Sequence, residues 1–288
     1  MKAIIIAVSL CAFALSLSSC SRFRAAEDST RLSSPKESDK VALSTFAWPE
    51  GKRAAVSLTF DDARTSQLDV GMPLLNAYGV KATFYVSIAP VEKRLAEWKA
   101  VPAAGHEIGN HSIRHACTGN YFGWQGRALE DYTLTQMAAE LDRASAEIEK
   151  LLDVRPVTFA YPCGQKFVGR GRNVKSYVPL VAQRFLAGRG WRDEGANDPA
   201  LCDPAQLMTM ELDGLTFDQL KVLVDQAAQK GQWLVLCGHE IGEGGRQTVR
   251  IDTLRAFCEY AQDPKNGLWV DTVANIGRYV IKERPVVH

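Results

Sequence analysis

The chain has 288 residues, 46% of them apolar, with 34 basic against 33 acidic side chains and a formal net charge of +1. That is enough apolar material for one large core, and the near-zero balance gives no electrostatic case for nucleic acid. No basic stripe runs along any segment, so nucleic acid is not an expected partner.

Met1-Lys2 is a minimal positive region ahead of a nearly unbroken apolar run over residues 3–17. The run is short for a membrane span and suits the core of a signal peptide. It ends in Leu17-Ser18-Ser19-Cys20, which resembles a bacterial lipobox, where cleavage precedes a Cys that carries lipid. The expectation is a lipoprotein signal peptide over 1–19 and an exported, envelope-facing protein anchored to a membrane through Cys20. An ordinary secretory signal with an incidental Cys is the alternative. Ser21 resembles outer-membrane sorting in a host with two membranes. Residues 20–46 are rich in Ser, Lys, Arg and Glu, cannot bury enough surface to fold, and read as a flexible tether. A single domain over 47–288 follows. With Cys20 lipidated, Cys117, Cys163, Cys202, Cys237 and Cys258 remain, an odd set that leaves at least one thiol unpaired. The compartment permits a disulfide, but spacing does not say which.

In the folded part, β-rich apolar runs at 54–60, 81–86, 106–110, 157–161, 184–187, 206–212, 233–237 and 268–270 alternate with helical patterns at 66–78, 133–152, 217–230, 251–262 and 273–282. In the second helix Met137, Leu141, Ile148 and Leu152 share one face. No internal repeat interrupts the alternation, which predicts an α/β fold with a parallel sheet. Asp61-Asp62, His111, Tyr161-Pro162 and Gly238-His239 each follow the C-terminal end of a predicted strand. Active sites of (β/α) barrels are assembled on that face, and a doubly wound open sheet is the runner-up. Neither GxGxxG nor a Gly-x4-Gly-Lys loop is present, so no nucleotide is expected.

Two imidazoles and one carboxylate can hold a divalent cation and leave positions open for water and substrate. His111 and His115 stand four apart, a spacing that puts both rings on one face of a helix. With one carboxylate of Asp61-Asp62 as a ligand, the other is free to act as a base.

On these residues the chain resembles the polysaccharide deacetylases of the NodB-homology type, carbohydrate esterase family 4, over roughly 52–280. Thr59-Phe60-Asp61-Asp62 is similar to the first motif of that family and His111-Ser112-Ile113-Arg114-His115 to the second. Phe159-Ala160-Tyr161-Pro162-Cys163-Gly164 resembles the third and Leu236-Cys237-Gly238-His239 the fifth. The resemblance implies a distorted (β/α) barrel that removes acetyl groups from an N-acetylated polysaccharide: peptidoglycan, a chitin-like oligomer or an exopolysaccharide. It implies Asp62, His111 and His115 as ligands of Zn2+ or another divalent transition metal, and Asp61 as general base. His239 would protonate the departing amine, the backbone N–H of Cys163 would receive the oxyanion, and Tyr161, Pro162 and Trp191 would border the groove.

The chain departs from the pattern at three places. Ala160 stands where the family often has an Arg that orients the base, Cys163 replaces an aromatic, and the fourth motif is indistinct, with Asp193 and Asp203 as candidates. His106 and Cys117 read as a core histidine and a buried thiol rather than ligands. Glu240 either bonds His239 or faces solvent, and Trp124 and Trp269 read as core. O-deacetylation of an acetylxylan-type glycan and a noncatalytic glycan-binding lipoprotein are the competing readings.

Overall fold

The computed structural model describes residues 46–284 apart from 122, 124 and 125. The predicted leader, Cys20, the tether up to residue 45 and Trp124 lie outside the described residues.

Twelve strands are present among them: β1 (Ala54–Asp61), β2 (Ala82–Val86), β3 (Glu107–Asn110), β4 (Thr158–Ala160), β5 (Phe167–Val168), β6 (Lys175–Ser176), β7 (Ala187–Arg189), β8 (Met210–Glu211), β9 (Trp233–Gly238), β10 (Glu240–Gly242), β11 (Thr248–Arg250) and β12 (Leu268–Val270). Eight of them form one sheet in the order β7-β4-β3-β2-β1-β9-β8, with β12 also on β1. Every pairing in it is parallel. All eight residues of β1 are buried, as expected of a parallel strand covered on both faces. The sheet curls until its outer strands meet. Arg189 of β7 bridges Leu207, whose N–H donates to the Gly188 carbonyl at 2.8 Å, and the chain then enters β8. The result is the distorted (β/α) barrel the sequence implied.

The helices are α1 (Met72–Ala77), α2 (Ile88–Lys93), α3 (Leu95–Ala103), α4 (Leu134–Leu152), α5 (Val178–Arg184), α6 (Phe217–Lys230), α7 (Ile251–Gln262) and α8 (Val273–Glu283). α4 and α6 start with capping boxes, Thr133 with Gln136 and Thr216 with Gln219, which satisfy donors that a helix start leaves unpaired. Their apolar stripes place Ile148, Leu152, Leu220 and Val224 in one buried cluster with Val56, Leu58 and Phe60 of β1, with α6 packed on β1 and α4 on β3. This packing fixes the strand whose end carries Asp61.

Three expectations are corrected. The helix predicted over 66–78 opens as a π-turn, Gln67–Gly71, before α1 begins. The strand predicted at 184–187 is the end of α5 followed by β7. The segment from His111 to His115 is not helical: Ser112 has φ 63° and His115 φ 48°, and Asn110 and Ser112 accept the N–H groups of Ser112 and His115 in two successive turns.

Candidate active site

At the C-terminal ends of the strands lies a cavity of about 710 Å³ lined by residues that include Asp61, Asp62, His111, His115, Cys163, Trp191, Asp213 and His239. Of the nine non-glycine residues with positive φ among the described residues, five line it: Asp62, His115, Cys163, Arg192 and Gln247. Strained backbone of this kind persists where surrounding structure holds it, and it gathers at functional sites.

The loop conformation replaces the helix as the device that joins the two imidazoles. Their ring centroids are 4.7 Å apart. His111 is buried, and its Nδ1 lies 3.0 Å from the Ala160 carbonyl. A carbonyl only accepts, so Nδ1 carries the hydrogen and the Nε2 lone pair faces the cavity. The two Nε2 atoms lie 3.6 Å (His111) and 3.5 Å (His115) from Oδ1 of Asp62. Arg64 binds the other oxygen of Asp62, Oδ2, at 2.9 Å and leaves Oδ1 to the histidines. Burial, then the neighbouring His111, hold the His115 imidazole down to about 4, in the neutral form that ligates metals. Ligand atoms of Asp62, His111 and His115 all lie within 4.8 Å of one another, so the donor set fits a divalent transition metal.

Asp61 is buried and gripped at both oxygens. Oδ1 pairs with Nη2 of Arg189, and Oδ2 accepts the thiol of Cys237 at 3.3 Å. Burial alone would raise its pKa, but the charges of Arg189, His111 and His239 outweigh it and hold the carboxyl well below the usual carboxylate range. Arg189 is fully buried, and its guanidinium lies 4.6 Å from the Tyr85 ring centre. It is the parallel-strand partner of Ala160 in the β4–β7 register. The orienting arginine missing at Ala160 is thus supplied from the adjacent strand, and the sequence reading missed it.

Asp213 was missed as well. Its Oδ2 accepts His239 Nδ1–H at 2.6 Å and its Oδ1 the His239 backbone N–H at 3.0 Å. Burial lowers the His239 pKa, but the bond to Asp213 and the charges of Asp61 and Asp213 raise it above its ordinary value. The two aspartates considered for this role do other work. Asp193 accepts the Thr209 N–H, and Asp203 caps a short 3-10 turn through the Ala205 N–H.

Cys117 is not a free thiol: it forms a disulfide with Cys163, Cα to Cα 6.0 Å, which ties the His115 loop to the loop after β4. Cys202, Cys237 and Cys258 are free. Cys163 and Trp191 line the cavity, and the Trp191 ring stands edge-on to His239 at 5.7 Å. Tyr161 and Pro162 do not line it. Both are buried, and the Tyr161 hydroxyl donates to the Ala205 carbonyl at 2.8 Å. Glu240 accepts the Ser66 hydroxyl instead of bonding His239, and Trp269 packs on Tyr279 at 5.3 Å.

Residues 49–177 match the family described as polysaccharide deacetylase. A gellan lyase from Bacillus sp. is 31% identical over 147 residues, which are 50% of this chain but only 5% of that protein's length. Among solved structures, one from Mycobacterium smegmatis assigned to the polysaccharide deacetylases superposes with a TM-score of 0.59 at 18% identity, covering 85% of this chain and 99% of that one. A family 4 acetyl xylan esterase from Clostridium thermocellum, in complex with a cobalt ion, has a TM-score of 0.51 at 21% identity, covering 80% and 93%. At these identities the superpositions establish the fold. Residues 49–177, which carry Asp61, Asp62, His111 and His115, are the part of the chain that is similar to the polysaccharide deacetylase family.

Proposed function

We propose that this protein is a metal-dependent hydrolase that removes N-acetyl groups from an envelope or extracellular polysaccharide. Asp62, His111 and His115 would hold Zn2+ or another divalent transition metal. When bound, such an ion acts as a Lewis acid that brings the pKa of water to about 7 and polarises the acetyl carbonyl. Asp61 takes the proton of the attacking water, and Arg189 and Cys237 keep its carboxylate ionised and aimed. The backbone N–H of Cys163, on the cavity wall, serves the developing oxyanion. His239 hands its proton to the departing nitrogen, and Trp191 walls the sugar beside it. The lipobox-like Leu17-Ser18-Ser19-Cys20 supports an envelope location with a lipid anchor on Cys20.

One observation carries the reading: a carboxylate and a histidine face one cavity with opposite tuning. Asp61 is held ionised by Arg189, while His239 is held protonated to higher pH by Asp213. A base and an acid flanking a metal-ligand triad are what amide hydrolysis needs, because an amine leaves poorly unless protonated. An alcohol leaves more readily, so the His239–Asp213 pair favours N- over O-deacetylation.

Acetate release by the purified domain should be measured on peptidoglycan, chitooligosaccharide and acetylxylan, before chelation, after it, and after zinc return. Release from an N-acetylated glycan that chelation stops and zinc restores is expected. Binding of one of these glycans with no acetate from any of them would defeat the enzyme reading.

A further inference from the structure

The β1–β9 ladder ends at the pair Phe60 and Gly238. The next residue along each segment is a proton-transfer residue of the proposed reaction, Asp61 at the end of β1 and His239 just after β9. On its other side Asp61 is still in register with Tyr85 of β2. Towards β9 the ladder gives it no partner.

A side chain replaces the missing rung. Gln67 is fully buried, and its amide nitrogen donates to the Asp61 carbonyl at 2.7 Å and to the His239 carbonyl at 2.9 Å. The two hydrogens of one planar NH2 group therefore span the two strand ends. Gln67 is the first residue of the π-turn Gln67–Gly71, and such turns displace backbone from the helical path at functional sites. A Cβ at Gly71 would overlap Ile241, so the turn lies directly against the segment after His239. Ser66 extends the seam: its hydroxyl donates to Glu240 Oε2 at 2.5 Å and accepts the Ile241 N–H at 2.8 Å.

We propose that Gln67 is a positioning residue that sets the spacing between Asp61 and His239, so that base and acid address the same acetyl group. It touches neither substrate nor metal. The inference rests on the deacetylase reading above and adds to it the part that holds the two proton-transfer groups in register.

Gln67→Met keeps the volume and removes both donors. Its kcat for acetate release is expected to fall about 100-fold, because small misplacements of reacting groups cost that much. KM and bound zinc per chain should stay within about twofold of wild type, as for a group acting only on the chemical step. A folded, zinc-loaded variant with kcat within about threefold of wild type, or a loss confined to KM, overturns the proposal. Gln67→Glu supplies a second reading. Its protonated form regains one O–H donor, so its kcat relative to wild type should rise as pH is lowered from about 8 to about 5.5. A flat ratio overturns the assignment even where the Met variant fails to fold. Wild type is assayed first: no acetate from it defeats the deacetylase reading, whereas an active wild type with an unimpaired Gln67→Met defeats this inference alone.

Discussion

His106 lies just before β3 and His111 just after it; both are buried, and both are hydrogen-bonded through Nδ1. At the N-terminal end of the strand, His106 Nδ1 accepts the Ala82 N–H at 3.1 Å, so Nε2 carries the hydrogen and donates to Asn76 Oδ1, also at 3.1 Å. Both nitrogens are used, and the ring is structural. At the C-terminal end His111 has the opposite tautomer. Nδ1–H goes to a carbonyl, and Nε2 faces Asp62 at 3.6 Å and Asp61 at 3.8 Å, beyond hydrogen-bond reach. Burial does not separate the two histidines. What separates them is the backbone group that meets Nδ1: an N–H donor at His106 and a carbonyl acceptor at His111, which leaves only the His111 Nε2 as a free lone pair.

The C-terminal end should be the more sensitive to a change of charge. Arg189→Met leaves the Asp61 carboxylate buried without its partner, which costs about 3–5 kcal/mol. Urea unfolding should show that loss, and acetate release should fall about 100-fold as Asp61 takes up a proton. Because the folded pKa of Asp61 is depressed, its stabilisation is present above the unfolded value of about 3.9 and is lost as pH falls through the folded one. Adding Asp61→Asn to Arg189→Met should restore most of the stability while activity stays absent. A double variant as unstable as the single one would mean that the ion pair is not what Arg189 supplies.

Asp213→Asn tests the other tuned group. The folded pKa of His239 is raised, so the stability it gains from Asp213 is present below the unfolded value of about 6.5 and is lost as pH rises through the folded value. In the variant the alkaline limb of the kcat profile should move to lower pH, with kcat reduced at least about tenfold near neutrality. An unmoved limb would remove His239 from the role of acid.

The smallest effect on activity is expected at the N-terminal end. His106→Phe leaves the buried Ala82 N–H unpaired at about 1–3 kcal/mol, with kcat/KM within about twofold of wild type. Burial, then Lys81, hold the His106 pKa down to about 4. The unfolded chain therefore binds more protons between pH of about 6.5 and 4, and stability falls as pH drops through that window. Denaturation midpoints across the window should show a shallower slope in the variant. A loss of turnover beyond the loss of stability would erase the contrast between the two ends of β3.

The parts of the site legible in the sequence are those that stand close together along the chain. Asp61-Asp62 at a strand end, His111 with His115, and His239 after β9 could all be read from local order. Arg189 could not, because strand register chooses it: the pairing of Ala160 with Arg189 brings a guanidinium from β7 to a position opposite an alanine. The strand expected at 184–187 stops short of β7, since Gly188 and a charged Arg189 end the apolar run from which a strand is read. Gly188 is there because a Cβ would come within 2.9 Å of the Ala205 carbonyl oxygen. The helix expected across His111 and His115 was the wrong local geometry for the right pair, and Asn110 and Ser112, both turn-forming, were the signal against it. The Cys117–Cys163 bridge spans 46 residues, and no local pattern marks it. α2 and α3 are short and carry Pro90 and Pro102, which break the helical pattern from which longer helices are read.

The central claim is that the two adjacent carboxylates divide the work, Asp62 holding a metal and Asp61 moving a proton. Zinc titration calorimetry on wild type, Asp61→Asn and Asp62→Ala, paired with acetate release from the same samples, tests it most directly. Asp61→Asn should bind zinc at near wild-type stoichiometry and release about 1,000-fold less acetate, whereas Asp62→Ala should lose both. Equal loss of zinc in the two variants, or wild-type turnover in Asp61→Asn, would contradict the division.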